Sequence, residues 1–182
     1  MYDPRAHHAD LRRRVQALLT RYLQRYWYRA VQGGGTLGDL FVTVEEVAAE
    51  LEVGPLAPPL AFEQPAEVQR RVDRQRGDEA QRRADTPTLP AARLGRDAGL
   101  DEDALELLLV LATLQGSPGL LRASTFAWAD FSVKQPTAGF AVELIADDES
   151  HRARLELALG PEAALRRLRL VQLGEDRRWQ PN

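Results

Sequence analysis

Leu100-Asp101-Glu102-Asp103-Ala104-Leu105-Glu106-Leu107-Leu108-Leu109-Val110-Leu111-Ala112-Thr113-Leu114-Gln115-Gly116-Ser117-Pro118 opens the stretch that decides the fold, and it runs on to Ile145. Asp101 stands where a side-chain oxygen caps a helix N-terminus, and the body from Ala104 to Leu114 is apolar almost all round, the pattern of a helix buried in a core. Ser117-Pro118 starts a second helix, with Ser as N-cap and Pro at the first helical position, where its missing amide costs nothing. Leu120, Leu121, Phe126 and Trp128 then face inward or into a neighbour. A third helix is expected from Gln135-Pro136, its Phe140, Leu144 and Ile145 packing on the first two.

Working outward toward the C-terminus, Asp147-Asp148 reads as the cap of a fourth helix through Leu159, and Gly160-Pro161 separates it from a turn ending near Leu165. Leu168 to Leu173 alternates as a strand would, and Gly174 to Asp176 with Trp179 completes an expected hairpin. Three helices and a hairpin make a winged-helix-like domain over residues 86–182, with the third helix in the recognition position.

Toward the N-terminus, Leu11, Val15, Leu18, Leu19, Tyr22, Leu23, Tyr26 and Trp27 recur at i, i+3, i+4 and i+7, which predicts a long amphipathic helix from Ala9 to Val31. Gly33-Gly34-Gly35 is expected to end it. Arg14, Arg21, Arg25 and Arg29 share its other face, as a solvated surface or as a contact for an acidic partner. Thr43 and Glu46 form a capping-box pattern ahead of a short helix from Val44 to about Glu52. Gly54-Pro55-Leu56-Ala57-Pro58-Pro59 cannot continue that helix and reads as a connector. Residues 66–84 carry only a thin stripe of Val68, Val72, Ala80 and Ala84 among charges, so an exposed, mobile helix held by i,i+4 charge pairs is expected. The fold class is therefore mainly α, a helical N-terminal region over residues 1–85 followed by the winged-helix-like domain.

Composition excludes several chemistries. The 182 residues include no cysteine, which removes disulfides, thiol catalysis and thiolate zinc sites and agrees with a reducing, cytoplasmic setting. No apolar run approaches the roughly 18 residues of a membrane span, and no signal-peptide core follows Met1, so no membrane partner is expected. Residues 1–100 carry a net charge of +1 and residues 101–182 a net charge of −4. An acidic second half lacks the electrostatic footprint of a nucleic-acid binder. The only lysine, Lys134, has no glycine-rich loop beside it, so there is no Walker A motif, and Gly33-Gly34-Gly35 follows a helix rather than a strand. His7, His8 and His151 lack metal-ligand spacing; the first two are expected near a frayed terminus and the third on an exposed turn. Asp101-Glu102-Asp103 and Asp147-Asp148-Glu149 sit where acids favour helix N-termini. Ser117, Ser124, Ser132 and Ser150 lie in no nucleophile elbow. No catalytic, cofactor-binding or metal-ligating residue is expected.

Gly99-Leu100-Asp101, the Leu107 to Ala112 block, and Phe126-Ala127-Trp128-Ala129-Asp130-Phe131 followed by Lys134-Gln135-Pro136-Thr137-Ala138-Gly139-Phe140 together resemble the variant winged-helix region ahead of the ATPase module in a family of bacterial AAA+ ATPases. Gly38-Asp39-Leu40-Phe41-Val42-Thr43-Val44-Glu45-Glu46-Val47 is similar to the segment joining the N-terminal helices of those proteins. The resemblance covers residues 8–50 and 90–170. It implies a non-catalytic N-terminal interaction and regulatory module, whose partner is another protein or the downstream ATPase module, with oligomerisation through the parent ATPase. Members of the family often accompany contractile, phage-tail-like injection systems. Walker A, Walker B and arginine-finger motifs are absent from this sequence, so the family's ATP-binding residues have no counterpart here; a fragment of a longer ATPase and a stand-alone relative are both expected forms.

The candidate partner-binding residues are Arg14, Arg21, Arg25 and Arg29 on the first helix, with Trp128, Lys134 and Gln135. Trp128 is either an exposed anchor or part of the core. The alternative function is a DNA-binding winged-helix regulator using Lys134, Gln135, Thr137 and the Arg177-Arg178 pair of the expected wing. Thr137, Ala138 and Gly139 at the head of the third helix lack the side chains that read bases, which favours protein contact over DNA.

Overall fold

The computed structural model describes residues 2–38, 43–52, 64–128 and 135–173, with the side chains of 27–38 excepted. Among these are nine helices: α1 Pro4–Gly38, α2 Val44–Leu51, α3 Pro65–Asp85, α4 Pro90–Asp97, α5 Glu102–Gly116, α6 Pro118–Trp128, α7 Ala138–Ile145, α8 Glu149–Ala158 and α9 Ala164–Arg167. No single helix among the described residues is long and apolar enough to cross a membrane.

The chain is mainly α, as expected, and its core is shared by residues from both sides of the 85/86 boundary. Val15, Leu18, Leu19, Tyr22 and Leu23 of α1 meet Val47 and Leu51 of α2, Leu107 and Leu114 of α5, Leu120 and Phe126 of α6, and Phe140 and Leu144 of α7 in one cluster. Phe140 is its aromatic hub, with Tyr22 and Trp128 standing edge-on at ring-centroid distances of 5.2 and 5.4 Å, a preferred geometry for aromatic pairs.

Local chemistry sets the helix ends. The Asp101 side chain accepts from the Ala104 amide at 2.8 Å, and Thr43 and Glu46 close a reciprocal capping box on α2. Between Gly116 and Pro118 the chain bends by 107°, so α5 and α6 form a sharp helix–turn–helix. Helix α4 follows from Pro90 at its first position and from Gly99, whose φ of +61° ends the helix in the left-handed region that glycine adopts freely. At Gly119 a Cβ would meet only the end of the flexible Glu50 side chain, where α2 passes α6.

Several expectations are corrected. Helix α1 does not stop at Gly33-Gly34-Gly35 but continues to Gly38. Glycine costs a helix interior about 1 kcal/mol relative to alanine, yet unlike proline it still donates its amide. The third core helix begins at Ala138 rather than at Gln135-Pro136, because the Thr137 hydroxyl accepts from the Phe140 amide at 3.1 Å and fixes the start. Leu168 to Leu173 is not a strand: the amides of Leu170 and Val171 both return to the Leu165 carbonyl, at 2.9 and 3.0 Å, and Arg169 turns the chain at φ 57°. The buried Leu165 holds this coil against the core. Among the described residues there is no strand, so the winged-helix description loses its hairpin; Gly174 to Trp179, including Arg177-Arg178, lies outside the described residues.

Helix α3 departs most from expectation. It is not an exposed, mobile element; it packs extensively along α1. Its only buried side chains are Val68, Val72 and Glu79. A buried valine contributes roughly 1.5–3 kcal/mol; the other contacts of this helix of 21 residues are mainly hydrogen bonds and ion pairs of its charged side chains.

Candidate functional site

The arginine face of α1 is where the expected site and the structure part most clearly. Arg14 and Arg21 are 2 % and 3 % exposed, buried beneath α3 and against the α7–α8 junction rather than turned to solvent. Arg25 is exposed. The side chain of Arg29 and the whole of Lys134 lie outside the described residues.

Arg14 bonds the Glu106 carboxylate of α5 through Nη2, and its Nη1 stands 3.6 Å from Glu79 Oε2 on α3. Glu79, 1 % exposed, also meets His7 Nε2 at 2.8 Å and Arg83 Nε at 3.1 Å. Burial alone would raise the Glu79 carboxyl, but the hydrogen bond from His7 and the charges of Arg83 and Arg14 outweigh it and hold the group below its ordinary range. An isolated buried carboxylate would be costly; here three cationic or donor groups compensate it.

The second centre is Asp147. Arg21 bonds its carboxylate, Arg76 of α3 donates to it at 2.5 Å, and the Gln69 amide donates at 3.3 Å. Burial again pushes upward, and the hydrogen bonds and charges of Arg76 and Arg21 override it, so the Asp147 carboxyl sits well below the usual range. Burial lowers the Arg21 guanidinium, with Asp147 partly restoring it. Burial would lower Arg76 too, but the Glu106 charge leads the opposing contributions and raises it overall. The Arg21 Nη2 group also donates to the Leu144 and Ile145 carbonyls at 2.8 and 3.0 Å, satisfying the C-terminal end of α7 from another helix.

Both histidines are corrected as well. His7 is inside α1 and buried on Glu79, not in a frayed terminus. His151 is buried too, with Nε2 at 3.4 Å from Asp103 and Nδ1 at 3.4 Å from Asp147. Among the described residues no group of three His, Cys, Asp or Glu side chains could hold a metal ion. Of the two acidic triplets, Asp101 and Asp148 do cap helices, whereas Asp147 belongs to the ion network, Glu102 pairs with Arg83, and Asp103 takes Arg154 at 2.7 Å.

Trp128 is half-buried and packs on the core through Phe140, so the core reading holds for its ring contact. Its remaining edge lines a shallow depression with Thr125, Thr137 and the exposed Gln135. The Thr137 hydroxyl is occupied as a cap. Helix α7 buries Phe140, Ala141, Val142, Leu144 and Ile145, which leaves little of the expected recognition helix facing outward. The structure thus brings Trp128 and Gln135 together and commits Arg14 and Arg21 to the interior. The sequence does not single out Glu79, Glu106 or Arg76, and it reads Asp147 as part of a helix cap; acids and arginines alternate along α3, but their partners are far away in the chain.

Nothing matches this chain among family models, curated proteins or solved structures.

Proposed function

We propose that this chain is a non-catalytic protein-interaction and regulatory module of the kind that stands ahead of the ATPase module in AAA+ proteins. The observation that supports the reading best is the packing of the segment that carries the resemblance: α5, α6 and α7 gather on one apolar core, with a 107° bend between the first two, an angle within the range of helix–turn–helix motifs. In this reading they are the three helices of a winged-helix type core without a hairpin at 168–173. The buried ionisable groups of α1, α3, α5 and the α7–α8 junction are spent on one another, which suits a scaffold. Trp128 and Gln135, with the exposed Arg25, are the surface residues on which a protein partner would bear.

The test is to tag the gene product in its own cells, isolate it, and assay ATP hydrolysis in the isolated fraction and in the purified 182-residue chain. The reading expects hydrolysis in the native fraction, from the same polypeptide or a bound one, and none from the purified chain. Native product without accompanying hydrolysis contradicts it. A variant combining Arg25→Glu and Gln135→Ala is expected to lose the association while keeping the wild-type circular dichroism spectrum.

A further inference from the structure

Beneath α3 the floor of the site is already charge-balanced without it. Arg14 has Glu106 on α5, Arg21 has Asp147 and the α7 carbonyls, His151 lies between Asp147 and Asp103, and Arg154 has Asp103. What α3 adds is a second set of partners: Glu79 for His7 and Arg14, Arg76 for Glu106 and Asp147, Gln69 for Arg21 and Asp147, and Arg83 for Glu102. Lifting an ordinary helix off a buried ion network strands charges, and stranding them is what makes such networks expensive to break. Here the floor keeps a partner for each arginine, while Glu79, Arg76 and Arg83 move into water with the helix that carries them. The apolar contact to be broken is limited to Val68 and Val72. The helix is also bounded by breakers, with Pro65 at its first position, Pro87 in the turn that follows and Pro90 at the head of α4, so its fraying does not propagate along the chain.

We propose that α3 is a strap, a helix that opens as a unit while the α1–α5–α6–α7 bundle stays folded, and whose opening uncovers the His7, Arg14 and Arg21 face of α1. Arg14 and Arg21, expected from the sequence on an outward face of α1, are then reached by solvent in the open form, still paired with Glu106 and Asp147, and are covered in the closed one. The hold is ionic, so it weakens when an α3 charge is removed, independently of the apolar core.

Hydrogen exchange followed by mass spectrometry on the full chain tests this. After correction for intrinsic rates, amides of residues 65–85 are expected to exchange at least about tenfold faster than those of residues 102–116, with residues 7–21 of α1 keeping their protection. Glu79→Gln is expected to speed the exchange of 65–85 by about a further tenfold and to leave 102–116 within about twofold. Equal protection of 65–85 and 102–116 in the wild-type chain overturns the strap, because α3 then opens only with global unfolding. Faster exchange that Glu79→Gln leaves unchanged overturns the ionic hold. Should Glu79→Gln fail to fold, the wild-type pattern decides the strap, and Arg83→Gln, which removes the tie to Glu102, decides the hold by the same readout.

Discussion

Helices α3 and α5 both lie against α1, yet they are held by opposite means. α5 buries nine side chains, seven of them apolar, and would stay in place whatever the charge of its surroundings. α3 buries two valines and one glutamate and is held by guanidinium–carboxylate pairs reaching three other elements. An arginine-rich helix face is not by that fact a surface. Buried apolar area sets where a helix sits when there is enough of it; where there is not, the charges are drawn inside and paired.

The largest effect is expected from the apolar side of the comparison. Phe140→Ala removes the hub between Tyr22 and Trp128 and should cost about 3–5 kcal/mol in urea unfolding; a loss under about 1 kcal/mol would mean the α5–α7 core is not what holds the molecule. On the ionic side, Arg21→Ala leaves the α7 carbonyls and part of Asp147 uncompensated and should cost about 2–3 kcal/mol. The exposed Arg25→Ala should stay within about 0.5 kcal/mol. Equal effects at Arg21 and Arg25 would return both to a solvated stripe.

Much of the apolar half was legible because its signals are local. Asp101 and Thr43 announce their helices within three residues, and the leucines of α5 have no polar face to mislead. Ser117-Pro118 likewise marks the boundary it makes. The start of α7 was misplaced because two adjacent start signals compete, and the Thr137 hydroxyl, not Pro136, wins the amide. Helix α4 was not anticipated, although Pro90 and Gly99 bracket it. The coil after Leu165 mimics strand alternation because Leu168 and Leu170 are spaced by two, while the bonds that decide it return to a single carbonyl. The ion network was the least legible part, since Arg14 and Glu106 are 92 positions apart and Arg21 and Asp147 are 126 apart; helix periodicity assigns an arginine a face without saying what covers it.

Acid should separate the two regions further. The folded-state carboxyls of Asp147 and Glu79 lie below their ordinary values of 3.8 and 4.5, so the unfolded chain takes up protons first as pH falls. Their contribution is complete above about pH 5 and is lost on descending through the folded-state values, with most of the fall below about pH 4. Asp147→Asn should flatten that fall in urea titrations repeated across pH; an unchanged slope would place the acid sensitivity elsewhere. A smaller effect than those of Phe140 and Arg21 belongs to a local cap, where Asp148→Ala removes the oxygen that accepts from the His151 amide at 2.7 Å and should cost about 1 kcal/mol in thermal unfolding. A neutral result would show that Asp147 and His151 fix the start of α8 without it.

A double-mutant cycle on Arg14 and Glu106, using Arg14→Leu, Glu106→Leu and the pair together in urea unfolding, shows whether the arginine buried between α1 and α5 is an interior structural charge. Each single change is expected to cost about 3–5 kcal/mol and the double variant to lie far closer to wild type than their sum, with a coupling of at least about 2 kcal/mol, because leucines can fill a site where one stranded charge cannot rest. Single changes within about 0.5 kcal/mol of wild type and no coupling would contradict it, and would put Arg14 back in water.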